Sequence, residues 1–200
     1  MWHFIVMLAA CAVFLLCWVS VSRSAPLACE DLVRPSNQPD LHHVEGRWVF
    51  VAGSLSYLPF IERLRQRDSS AVRFSTNGNK TDILFSRSMR SENKCYYTST
   101  NISLEGSSFI YDNGSVNITF MHTSCHDCIL LSCDVDSGTR QHFYLFSKRR
   151  QLEEKEMEEF RAQVECLNMP PPVVMDPTKQ LCPEETADDQ TEEKIGEQNS

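Results

Sequence analysis

From Arg47 to Ser147 the chain alternates short runs of β-branched and aromatic residues with clusters of turn formers. The runs are Arg47 to Leu55, Ala71 to Thr76, Thr81 to Arg87, Cys95 to Leu104, Ser107 to Tyr111, Ser115 to His122, Cys128 to Asp134 and Thr139 to Ser147. Between them lie Asn77-Gly78, Glu105-Gly106, Asn113-Gly114 and Ser137-Gly138; Asn-Gly pairs tolerate the positive φ angles of tight hairpins. Eight strands at near-regular spacing predict an all-β antiparallel barrel or sandwich. Pro59 to Gln66 predicts a short helix closing one end. From Leu152 to Leu167 the period changes. Met157, Phe160, Val164 and Leu167 recur at helical spacing, one apolar stripe that should pack outside the sheet. Pro170-Pro171-Pro172 stops that helix.

The faces of the strands narrow the choice. The first carries Trp48, Phe50 and Ala52 on one face and Val49 and Val51 on the other; the last sets Phe143 and Leu145 opposite Tyr144 and Phe146. A strand apolar on both faces needs cover on both, which a barrel interior and a docked helix supply. An immunoglobulin sandwich is disfavoured, because Asn93 stands two residues before Cys95 where a tyrosine corner needs Tyr. Asn101 heads an N-x-Ser sequon and must face water, which sends Tyr96, Thr98, Thr100, Ile102 and Leu104 inward. The same parity turns Asn117 and Thr119 out and Val116, Ile118 and Phe120 in. These inner rows mix aromatic, aliphatic and hydroxyl groups, as a partly open pocket does.

Residues Trp2 to Val21 are almost wholly apolar, and Ser22 and Ser24 precede a cleavage-type junction at Ala25. Residues 1–24 are therefore expected to be a cleaved secretory leader, 25–183 the folded domain and 184–200 an acidic, disordered tail. No stable membrane insertion is expected once the leader is gone. Cys29, Cys95, Cys125, Cys128, Cys133, Cys166 and Cys182 remain, an odd set that leaves at least one unpaired in an oxidising compartment. Sequons at Asn79, Asn101, Asn113 and Asn117 fit secretion. The net charge of −8 lacks the basic face that nucleic acid requires. Its general field modestly favours cationic ligands.

Gly46-Arg47-Trp48, at the head of the first strand, resembles the G-x-W signature of lipocalins. It is joined by Cys29-Glu30-Asp31-Leu32-Val33 and by Ser124-Cys125-His126-Asp127-Cys128-Ile129-Leu130-Leu131. The series Phe143-Tyr144-Leu145-Phe146-Ser147, Glu159-Phe160-Arg161 and Glu165-Cys166-Leu167 completes the pattern. From Cys29 to about Glu185 these residues resemble the alpha-1-acid glycoprotein and apolipoprotein M branch of the lipocalins. The likeness is greatest to fish plasma members that bind tributyltin, or saxitoxin and tetrodotoxin. The resemblance implies an eight-stranded antiparallel up-and-down barrel with a C-terminal α-helix packed outside. Gly46 and Trp48 would lie at its floor, with Lys148 or Arg149 capping the tryptophan. It also implies disulfides Cys29–Cys166 and Cys95–Cys182; pairing of Cys125 with Cys128 would then leave Cys133 single. The partner of the branch's third pair would fall near Glu156, where no cysteine stands. The arginine that the apolipoprotein M type uses for a lipid phosphate aligns with His142.

Other chemistry is weaker. His122, Cys125, His126 and Cys128 are zinc-ligand types, but their spacing fits no standard finger and secreted cysteines oxidise. Leu130, Leu131 and Ser132 supply no base or positive charge to activate Cys133. The chain thus reads as a secreted plasma lipocalin, monomeric, without catalysis, metal or cofactor. It would carry small lipophilic or amphiphilic ligands of drug, toxin or organotin type, held by Tyr96, Ile102, Ile118, Phe120, His142 and Tyr144. Two alternatives stay open: an acute-phase-type glycoprotein that modulates immune responses through surface contacts, and a thiol-dependent isomerase built on Cys133.

Overall fold

Two helical turns, α1 (Cys29–Leu32) and α2 (Leu41–Val44), lead into β1 (Gly46–Leu55), and α3 (Leu58–Arg65) then crosses the end of the strand. A meander follows: β2 (Arg67–Thr76), β3 (Ile83–Ser91), β4 (Lys94–Ile102), β5 (Ser108–Tyr111), β6 (Val116–Met121), β7 (Cys128–Val135) and β8 (Arg140–Ser147). Helix α4 (Glu154–Cys166) and the short β9 (Val173–Val174) complete the chain. The computed structural model describes residues 28–37, 39–76, 83–111 and 114–184. The expected leader, the Asn77-Gly78 turn, the sequons at Asn79 and Asn113 and the tail beyond Glu184 lie outside the described residues. No described helix is long and apolar enough to cross a membrane.

The strands run in the order β4-β3-β2-β1-β8-β7-β6-β5, each antiparallel to the next. This is the eight-stranded meander barrel that the pattern predicts, with α4 outside. One apolar cluster fills the interior around Trp48, Phe74, Phe85, Phe109 and Phe120. A second lies between the outer face of β1, β7 and β8 and helix α4. There Phe143 stacks on Phe160 with ring centroids 5.6 Å apart. The helix buries Met157, Phe160, Gln163 and Val164. Gln163 escapes an apolar-stripe reading, yet its amide donates to the carbonyls of Leu32 (2.9 Å) and His122 (3.0 Å). A buried amide is tolerated because both protons are used.

Strict alternation fails in β1. Its ladder to β8 slips between Phe50 and Ala52, and one extra residue reverses the faces beyond it. Trp48 and Phe50 point into the interior, whereas Ala52 joins the cluster beneath α4, not the row of Trp48 as expected. Gly53 then faces inward. A Cβ there would come within 2.7 Å of the rings of both Phe50 and Tyr144, so only glycine lets these two meet edge-on.

The hairpin between β3 and β4 turns on Glu92 and Asn93, both at positive φ (50° and 63°). That is the geometry of a two-residue hairpin turn, here without glycine. β4 and β5 lie side by side but share no ladder among the described residues. β5 has four residues against nine in β4. The wall is therefore incomplete along the upper half of β4.

Beyond α4 the chain returns as a strap. β9 pairs with β1, Ser54 Oγ donates to the Pro170 carbonyl and Ser69 Oγ to that of Gln180. Met175 joins the interior cluster. Three disulfides tie Cys29 to Cys166, Cys95 to Cys182 and Cys125 to Cys128. Cys133 is a buried thiol.

Candidate functional site

The floor of the barrel is built on Trp48, fully buried, whose indole N–H donates to the Val44 carbonyl at 2.6 Å. The Lys148 ammonium lies 3.9 Å from the ring centroid and donates to the Glu45 carbonyl. Partial burial pushes its pKa down. Lys148, not Arg149, is thus the cap over the tryptophan. Gly46, at φ 103°, permits it, because a Cβ there would come within 3.0 Å of Nζ. Arg149 instead holds Asp127 and Glu156, the latter on α4. The arginine keeps both carboxyls below their ordinary pKa.

Above the floor Phe74, Phe85, Phe109 and Phe120 interlock with centroids 5.0–6.2 Å apart. Over this layer opens a cavity of about 630 Å³. Its apolar lining includes Phe50, Val72, Phe85, Ile118, Leu131 and Phe146. Arg67, Arg87, Thr98, Tyr111, Cys133, His142 and Tyr144 also line it. Helix α3 roofs it with Phe60 and the buried Leu64. The guanidinium groups of Arg63 and Arg140 lie over the Phe60 ring at 5.3 and 5.2 Å.

Of the residues expected to contact a ligand, Ile118, His142 and Tyr144 line this cavity. Ile102 and Phe120 are buried in the interior cluster and do not line it. Tyr96 lies outside the lining and is 51% exposed, because no strand covers β4 at that height. Arg67 escapes the strand reading, and Arg87, the last residue of a predicted strand, is not among the expected ligand contacts although both line the cavity. Arg67 opens β2 four residues earlier than the apolar run suggests, within a polar stretch that pairs with β3. Arg87 follows Ile83 and Phe85 on the inner row, and a charge at that spacing is the signal that marks it.

Tyr144 Oη lies 3.0 Å from Nδ1 of His142. Burial pushes the phenol's pKa up, so it keeps its proton. Burial, then Arg140 and Arg67, push His142 down to about 4. The imidazole is therefore neutral above that pH. Its unfolded value is ordinary, so the unfolded chain takes the proton first. The resulting contribution to stability is whole above pH 6.5 and is lost as pH falls through about 4. Urea titrations across this window should show wild type losing stability that His142→Gln does not lose; parallel curves would refute the assignment.

Cys125 and Cys128, with Asp127, come within metal-ligating distance of one another, but the two sulfurs are joined as a disulfide, which removes both thiolates. Asn101 and Asn117 are exposed on outer rows.

The ApoM domain family matches residues 1–185. Among solved structures the chain resembles the siderocalin Ex-FABP, described as functioning through dual ligand specificities. That likeness has 16% identity and a TM-score of 0.61, over 72% of this chain and 97% of the other. It also resembles siderocalin Q83, described as having a dual ligand binding mode, at 15% identity and a TM-score of 0.62, over 74% and 97%. At these identities the likeness shows the fold. No curated protein matches the chain.

Proposed function

Because the chain belongs to the ApoM family, within the lipocalins, we propose that it is a secreted carrier of small lipophilic or amphiphilic molecules, of drug, toxin or organotin type. The carrying observation is the cavity of about 630 Å³, lined by apolar side chains interspersed with hydrogen-bond donors. That volume lies in the range of small-molecule sites. Three disulfides suit an extracellular compartment. Native mass spectrometry of the secreted, deglycosylated protein, before and after denaturation, tests the reading. A co-purified small molecule lost on denaturation is the expected result. A bare mass that no added lipophile shifts would sink it.

The isomerase alternative needs a reactive thiolate at Cys133. Burial pushes this thiol up to about 12, with Asp134 adding to the effect. A thiol protonated at neutral pH is a poor nucleophile. Iodoacetamide at pH 8 should leave Cys133 unlabelled in the folded protein and label it fully in urea. Rapid labelling of the folded protein would return weight to the enzyme.

A further inference from the structure

The three disulfides are not held shut equally by the fold. Cys29–Cys166 and Cys95–Cys182 join residues 137 and 87 apart, whereas Cys125 and Cys128 stand 3 apart. By linkage, the fold protects a bridge from reduction by as much as the bridge stabilises the fold. In the chain-entropy model the short loop gains least, so its bridge opens about a hundredfold more readily than either long one. It is also within reach of a small reductant. Cys125 and Cys128 line a cleft of about 380 Å³ together with His43, His122 and His126. Neither of the other bridges lines this cleft or the ligand cavity.

Once reduced, the pair is a chelate. Two thiolates in a C-x-x-C spacing are half of a thiolate metal site. Asp127 stands between them, and the ligand atoms of Cys125, Asp127 and Cys128 all lie within 4.8 Å of one another. Asp127 Oδ1 is 3.4 Å from Cys125 Sγ, while Oδ2 is held by Arg149 Nε at 2.6 Å. One carboxylate oxygen is thus presented to the sulfurs and the other anchored, the outer-shell support that ligating carboxylates use. Arg149 Nη2 donates to Oδ1 at 2.8 Å and to Glu156 on α4 at 2.7 Å, so Glu156 keeps the arginine in place when a cation takes Oδ1. Two thiolates, Asp127 and Glu156 outnumber Arg149, and a divalent cation neutralises that excess.

We propose that Cys125, Asp127 and Cys128 form a site for a soft divalent cation of the zinc and cadmium type, closed by oxidation and opened by reduction. The fourth position opens on the cleft that His122 and His126 also line. The reductant is a small thiol. Its thiolate attacks Cys128 Sγ, and Cys125 leaves as a thiolate beside Arg149 Nη2, which lies 3.6 Å from its sulfur. A second small thiol attacks the mixed disulfide, so two thiols become one external disulfide and the protein gains two electrons and two protons. The cation then displaces both thiol protons to solvent.

The test compares one protein in two redox states. Glutathione buffers of rising reducing strength open the bridges, and N-ethylmaleimide traps the thiols for mapping by mass spectrometry. Cys125 and Cys128 should label at a ratio of reduced to oxidised buffer about a hundredfold lower than the other pairs. Opening of the three together, or of a long bridge first, overturns the proposal. Protein reduced only at this bridge and freed of glutathione should take up a single Cd2+, seen as sulfur-to-cadmium charge-transfer absorption. About two protons should be released with it at pH 7. The oxidised protein should take up none, a contrast independent of any variant's folding. Asp127→Asn should weaken uptake at least about tenfold, and Cys133→Ser should leave it within about twofold. Absence of Cd2+ uptake by the reduced protein, equal uptake by the oxidised one, or loss with Cys133 overturns the site. Wild-type affinity in Asp127→Asn removes the carboxylate and overturns the three-ligand assignment.

Discussion

Replacing Cys95 and Cys182 together by serine should lower the unfolding free energy by about 4 kcal/mol and the thermal midpoint by about 8–16 °C. The bond joins residues 87 apart in sequence, and in the chain-entropy model a loop of that length restrains the unfolded chain strongly. The native state loses an anchor as well. The strap from Pro170 to Glu184 is fastened by single hydrogen bonds, by Met175 in the interior and by the carboxylate of Glu184 between Arg47 and Arg73. Arg47 and Arg73 are directly opposed across β1 and β2, so loss of Glu184 leaves like charges facing one another. Chemical denaturation of the oxidised, monodisperse variant gives the number. Exchange of the Met175 amide, which donates to the Val51 carbonyl, should quicken while amides in α4 keep their protection. A loss below about 1 kcal/mol would show that the packed strap, not the bridge, holds the C-terminal segment.

That strap marks the limit of what the chain discloses locally. Period-two alternation exposes eight strands and period 3.6 exposes α4, because each element buries one face against a continuous partner. Signals fail where tertiary contacts override alternation. The slip at Phe50 and Ala52 changes no composition yet exchanges inner and outer faces for the rest of β1. Arg67 to Ser70 is polar and looks like loop, but the hydroxyls of Ser69 and Ser70 donate to the carbonyls of Gln180 and Ser88, and the segment becomes strand. The hairpin at Glu92 and Asn93 lacks glycine and so lacks the usual mark. At the site, alternation brings Ile118, His142 and Tyr144 to the cavity. It cannot tell a wall from a plug, which is why Ile102 and Phe120 lie in the interior cluster below. It also assumes a closed ring, and Tyr96 is exposed because β5 is too short to close it.

Trp48→Ala should cost about 3–5 kcal/mol, the range for truncating a fully buried large aromatic. Three losses combine at one position. The ring leaves a void at the barrel floor, the Val44 carbonyl loses its donor, and Lys148 loses the π face beneath its ammonium. Graded substitutions separate them. Trp48→Phe keeps a ring and loses the N–H, for about 1–2 kcal/mol. Lys148→Met removes the cation while keeping an apolar stem, for about 0.5–2 kcal/mol. A cycle combining Trp48→Ala with Lys148→Met should show the two effects to be non-additive, because both report one contact. Trp48, like Phe74, Phe109 and Phe120 of the same interior cluster, does not line the cavity. The stability loss should therefore leave binding of the neutral fluorophore N-phenyl-1-naphthylamine within about threefold wherever the variant is still folded. A folded Trp48→Ala protein that binds the fluorophore much more weakly would mean that the aromatic layer does not insulate the cavity. The floor would then belong to the binding site.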